Sequence, residues 1–129
     1  MLPAIHDGNL ILMVKYMFGD SPSRGDVVSF KDITGESTDN LIKRVVAVGG
    51  DVLAYKGWSI LVNGTKSYEN VYSVTKPYKM KVPDGAVYVI GDNQDESYDS
   101  RLFGPVPVKK INGKAAFFIW PLSVIGKNP

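Results

Sequence analysis

The chain has 129 residues, 44% of them apolar, and a net charge of +2, which suits one domain (1–129) with one core. It has no cysteine, which excludes disulfides, thiolate metal sites and a thiol nucleophile, and its only histidine, His6, excludes a histidine-rich metal site. The basic residues are scattered rather than striped, so nucleic acid is not an expected partner, and mild basicity permits contact with an anionic membrane without arguing for it.

Short apolar, β-branched runs alternate with turn signals, a pattern that reads as all-β. Strands are predicted at 10–16, 26–30, 40–48, 51–56, 59–62, 86–90 and 115–120. Gly49-Gly50-Asp51, Lys56-Gly57-Trp58 and Val62-Asn63-Gly64 punctuate them as tight turns, and Val82-Pro83-Asp84-Gly85 leads into Ala86. Residues 32–39 form a polar loop. Residues 65–81, with Tyr68, Tyr72 and Tyr78 among polar groups, read as an excursion from the main sheet, a small hairpin. The strands are too short and too close for βαβ units, so the expected fold is coiled antiparallel sheets forming a partial barrel. The most apolar stretch, from Ala115, runs for about 12 residues and contains a proline, short of the ~20 that span a bilayer. No signal-peptide pattern is visible, and the 129 residues are expected to be soluble.

Two segments carry chemistry. In "LIKRVVAV", residues 41–48, strand alternation puts Leu41, Lys43, Val45 and Ala47 on one face and Ile42, Arg44, Val46 and Val48 on the other. Both faces are apolar and each holds one cation. Arginine stays charged and needs an acid; a buried lysine must pair or lose its proton. Lys43 therefore either snorkels or pairs with a carboxylate, or acts as general base for a hydroxyl nucleophile in a Ser–Lys arrangement. The second segment, "GDNQDESYDSR" at 91–101, crowds four acids behind the apolar run 86–90. It reads either as a capped acidic turn or as part of a site. Calcium is a poor fit, because Asp92, Asp95, Glu96 and Asp99 lack the spacing of a helix-loop-helix calcium loop.

Together these segments resemble the bacterial type I signal peptidases, Ser–Lys enzymes that remove signal peptides from exported proteins. "LIKRVVAVGGD" resembles the family's lysine segment, "GDNQDESYDSRLFGPVP" its most diagnostic box, and "RGDVVSF" at 24–30 the strand after its first loop. "MLPAIHDG" resembles the Ser-Met-x-Pro-Thr segment entered one residue late, with Ala4 where the family usually has threonine. The resemblance implies Lys43 as general base and Ser97 as the hydroxyl that orients it. Asp92, Asp99 and Arg101 are implied as structural support. A carboxylate touching Lys43 would raise its pKa, so Asp99 is expected to face Arg101 instead. Met1, Ile5, Val28 and Leu41 are expected walls of shallow pockets that admit small residues before the cut. The substrate would add as a strand near residues 1–5 and 41–43, with Pro3 at a free edge. No cofactor or metal is implied.

The family's nucleophilic serine is expected just before Met1, and its membrane anchor earlier still. The 129 residues alone are therefore expected not to cleave by the Ser–Lys route. Two accounts stand: truncation of an active lineage, which the intact Lys43 and Ser97 favour, or a catalytically inactive homologue acting as a peptide- or partner-binding β-domain. A conjugation-associated peptidase of the same superfamily is a further alternative, and a self-cleaving repressor domain fits less well because it lacks the box at 91–101. The resemblance also implies signal peptides of exported preproteins as partners, and the outer face of the bacterial cytoplasmic membrane as location for the full-length protein. Met17-Phe18, Trp120 and Leu122 are candidates for an apolar membrane-facing surface, although Trp120 is expected in the core.

Overall fold

The fold is described from a computed structural model at residues 1, 4–17, 20–68 and 78–129. Among the described residues ten strands form two antiparallel sheets, neither closed into a barrel. They are β1 (Leu10–Val14), β2 (Val27–Lys31), β3 (Asn40–Val48), β4 (Val52–Lys56), β5 (Ser59–Val62), β6 (Thr65–Tyr68), β7 (Lys79–Lys81), β8 (Ala86–Ile90), β9 (Val106–Pro107) and β10 (Ile111–Trp120). The larger sheet runs β1-β10-β2-β3-β8-β9 and the smaller β6-β5-β4-β7. A single helical turn, α1 (Ser100–Phe103), follows the acidic box.

Strand β8 shows why the larger sheet is rigid. All five of its residues are buried. Ala86, Tyr88 and Ile90 point into one cluster, where Leu53, Tyr55, Ile60 and Val62 of the smaller sheet meet Val46 and Ala47 of β3. Val87 and Val89 point the other way, onto Val28, Phe30, Val45 and Val106. A strand covered on both faces needs apolar residues at every position, hence the unbroken run AVYVI.

Strict alternation does not hold along β3. A register irregularity against β8 lies between Val45 and Ala47. Val46 and Ala47 consequently share the cluster between the sheets, while Val45 and Val48 face the second cluster. The face expected for Ala47 and Val48 is thus exchanged, as a bulge does when it inserts one extra residue. Leu41 and Val45 do share a face.

Residues 65–68 and 79–81 belong to the smaller sheet, on its opposite edges, and do not pair with each other. The rest of the expected hairpin, 69–77 with Tyr72, lies outside the described residues, as do Pro3 and Phe18. Trp120 is not in the core but 50% exposed.

The sheets are joined by a hydroxyl contact across the first cluster. Tyr55 on β4 and Tyr88 on β8 place their oxygens 2.6 Å apart, and Tyr78 reaches Tyr88 at 3.4 Å. Burying either oxygen without a partner would be costly. Tyr55→Phe is expected to destabilise the fold by about 1–3 kcal/mol. The double change Tyr55→Phe with Tyr88→Phe should cost less than the sum of the singles, because each single change removes the same 2.6 Å contact. Urea midpoints for the cycle measure this; additive losses would show that the contact contributes nothing.

Candidate active site

The site forms where β8 ends beside β3. Gly91 follows the last residue of β8, and the chain then turns back through the acidic box into α1. A Cβ on Gly91 would collide with the Ser97 hydroxyl, would stand 2.6 Å from Ser97 Cβ, and would lie 3.7 Å from Lys43 Cδ. The missing side chain thus leaves the space in which Ser97 and the Lys43 stem come together. Gly91 does not have positive φ, so its role is close approach rather than turn geometry.

Lys43 is half-buried and forms no ion pair among the described residues. Burial pushes its ammonium below the usual lysine range. Asp99 pulls it back up, and Arg101 pushes it down again. The Ser97 hydroxyl is buried and has no hydrogen-bond partner among the described residues, so the bond to Lys43 expected of it is not formed here. It lies near enough to Asp99 to help hold that carboxyl down, but out of hydrogen-bond geometry with it.

Asp99 is fully buried and faces Arg101. Its Oδ1 accepts from Arg101 Nε at 2.9 Å and from the Arg101 backbone N–H at 3.1 Å, capping α1. Its Oδ2 accepts from Arg101 Nη2 at 2.9 Å and from the Gly91 N–H at 3.0 Å. The Arg101 side chain is 3% exposed and also donates to the Gln94 carbonyl at 2.8 Å. Burial alone would raise the Asp99 carboxyl. The Arg101 bonds and the Gly91 N–H overcome it and bring the carboxyl below its ordinary range.

Asp92 is separate from that pair. It takes Arg44 in a two-point bridge at 2.9 and 2.8 Å, on the face of β3 opposite Lys43. Each cation of β3 is therefore treated differently: Arg44 has a carboxylate of its own, and Lys43 has none among the described residues.

Two residues of the box that sequence reasoning passed over hold the frame. Ser100 Oγ accepts from the Val89 N–H at 2.9 Å, tying α1 to β8. Phe103 packs edge-on against Phe30 and Tyr98, seating α1 on the core. The signal for α1 was present as Asp99-Ser100, a helix-capping residue followed by an apolar pair two positions on.

Met1 and Ile5 line a cleft of about 420 Å³ with His6, Asp7 and Asn93, two residues beyond Gly91. Leu41 is partly buried against the second cluster. Val28 is 0% exposed, so it backs the strand from within and offers no surface to a bound chain. Strand β8 pairs with β3 only from Arg44 onward. At 40–43, β3 keeps β2 on one side and, among the described residues, no strand on the other.

This arrangement can support proton transfer from a hydroxyl to a lysine amine, in a site whose carboxylate is occupied by arginine. Comparison with known proteins identifies the family. The family model described as "Signal peptidase, peptidase S26" matches residues 1–120. A signal peptidase I of Bacillus caldolyticus is 33% identical over 94% of the chain and 75% of its own length. A signal peptidase IB of Staphylococcus aureus is 31% identical over 99% of the chain and 77% of its own length. A probable thylakoidal processing peptidase of Arabidopsis thaliana is 35% identical over 97% of the chain but only 37% of its own length. In fold, the chain is similar to the crystal structure of a signal peptidase I from Enterococcus faecalis, with a TM-score of 0.60 at 23% identity, covering 74% of this chain and 97% of that one. The chain belongs to the signal peptidase family of S26 peptidases.

Proposed function

We propose that this chain is the catalytic domain of a serine endopeptidase that removes signal peptides from exported proteins, with Lys43 as general base. The observation that carries this reading is a half-buried lysine whose stem and a buried serine hydroxyl converge on Gly91, the lysine without an ion pair and the hydroxyl without a partner among the described residues. A lysine depressed by burial is neutral over more of the pH range and accepts a proton more readily. Ser97 is assigned to hold the neutral amine in one rotamer, which a hydroxyl does without restoring the charge. Asp99, Arg101 and Asp92 are assigned as support.

In the mechanism, Lys43 Nζ takes the proton from the nucleophilic hydroxyl, whose oxygen attacks the scissile carbonyl carbon. Lys43 then returns that proton to the departing amine. In the second half, Lys43 deprotonates water, which attacks the acyl ester and frees the serine. The substrate is assigned to the open edge of β3 at 40–43, as an added strand, with Met1 and Ile5 at its side.

Membrane contact is assigned to the ribbon of β1 and β10. Leu10, Leu12, Met13, Val14, Phe117, Ile119 and Trp120 are all at least 38% exposed. Because neighbours in sequence are exposed, apolar groups occupy both faces of the ribbon. No described helix is long and apolar enough to cross a membrane.

Three measurements test these assignments. In the chain itself, the ¹⁵N and ¹³C resonances of the Lys43 side chain should titrate below the ordinary lysine value of 10.5. A midpoint at or above that value removes the base assignment. With a serine placed directly before Met1, cleavage of a peptide bearing Ala-x-Ala should rise with pH as Lys43 loses its proton. Lys43→Ala should lower the rate by at least about 10²-fold; equal rates would overturn the role. Arg101→Met strands a buried carboxylate and is expected to cost about 3–5 kcal/mol near neutral pH. Asp99 has a depressed folded pKa, so its contribution is present above the unfolded carboxylate pKa and lost as pH falls through the folded one. The gap between Arg101→Met and the parent should accordingly shrink on acidification, read as converging urea midpoints.

A further inference from the structure

Lys114 sits where three strands meet. Val14 of β1 and Val28 of β2 both register against it, at the point where the β1–β10 ribbon leaves the sheet. Its ammonium lies 5.9 Å from the centre of the Tyr16 ring. Tyr16 is itself fixed, because its hydroxyl donates to Asp26 Oδ2 at 3.0 Å, and the same oxygen accepts from the Ser23 N–H at 3.0 Å. Lys114 thus lies over an aromatic face and, among the described residues, forms no salt bridge, so its charge stays available. Beside it opens a cleft of about 290 Å³ lined by Val14, Lys15, Tyr16, Met17, Asp20, Ser21 and Lys114. Met17 at its rim is 76% exposed. Two cations outnumber the one carboxylate of Asp20, and Asp26 is already engaged.

The position decides what such a cleft fits. It is the foot of a ribbon that is apolar on both faces. When apolar strands lie in a bilayer interface, the cations that flank them stand at the level of the phosphates. We propose that this cleft binds the phosphate of an anionic phospholipid, with Lys114 and Lys15 as its cationic contacts. The proposal rests on the membrane assignment of the ribbon and adds a lipid preference to it. Lysines near an anionic leaflet each strengthen partitioning about fivefold, an effect that salt screens.

The test uses the full chain with two vesicles, phosphatidylcholine alone and phosphatidylcholine with phosphatidylglycerol, read by co-sedimentation and by the tryptophan emission. The chain should bind the phosphatidylglycerol vesicles more tightly, and less so at high salt. Lys15→Gln with Lys114→Gln should remove the preference, a loss of more than tenfold, while keeping the binding to phosphatidylcholine. Lys114→Arg should restore part of it. As a charge-matched control, Lys79→Gln with Lys81→Gln, on exposed positions of the smaller sheet, should leave the preference in place. Equal binding to both vesicles, or a preference that survives the Lys15 and Lys114 changes, would overturn the phosphate site and leave the ribbon assignment standing. Binding to neither vesicle would overturn the ribbon assignment and the phosphate site with it. Unchanged urea midpoints for the glutamine variants show that they fold.

Discussion

The site depends on the pairing of Asp99 with Arg101. A carboxylate with no exposed surface lies close enough to Lys43 to raise its pKa, and a protonated lysine is no base. Arg101 resolves this by occupying both oxygens of Asp99, and the Gly91 N–H adds a third direction. The guanidinium also acts directly, because its positive charge disfavours a second one on Lys43. One ion pair therefore serves as helix cap, as anchor for the backbone at Gly91 and as electrostatic shield. A lysine in place of Arg101 would not do the same, since an ammonium cannot fork across two oxygens and keep a donor for the Gln94 carbonyl in the same plane.

That pair would be of no use on a mobile support. Strand β8 is buried on both faces, so Gly91 starts from a fixed point. Ser100 bonds back to Val89 on the same strand, and Phe103 seats the following turn on Phe30. The loop between is closed at both ends within eleven residues, so Ser97 cannot drift far from the stem of Lys43. Arg24 and Asn63 perform the matching service at the other end of β3, where both bind Asp51 and close the turn that joins the two sheets.

The family was more legible in the sequence than the packing around its motifs was. Lys43 stood out because an apolar strand cannot bury a cation casually, and the box at 91–101 because four acids without a core role need a reason. Most strands were legible because glycine, proline or asparagine stands near an end, but the two-residue β9 gave no signal and β10 starts at Ile111, ahead of the expected 115. What the pattern could not give was anything that depends on a neighbour. A bulge at Val46, between Val45 and Ala47, exchanges the faces of Ala47 and Val48, and period-2 reasoning has no means of placing it. Val28 reads as an ordinary strand valine, and only the covering of both faces makes it inaccessible. Trp120 reads as core, but it lies past the last residue of β10 that pairs with β2, where β1 is its only strand neighbour among the described residues.

The register of the larger sheet links its two assigned surfaces. Lys114 opposes Val28, and Val28 opposes Lys43. Directly opposed residues project from the same face, so both lysines lie on one side of one rung, two strands apart, roughly 10 Å at the usual strand spacing. Val28 between them is wholly buried, which leaves the rung no slack. A slip of one residue in either pairing would turn one lysine to the opposite face and separate them through the sheet. If Lys114 marks the level of the lipid phosphates, the rung sets Lys43 at a fixed distance from that level. A signal peptide emerging from a bilayer presents its cleavage site at a set height, and a rigid rung is a physical means of meeting it there.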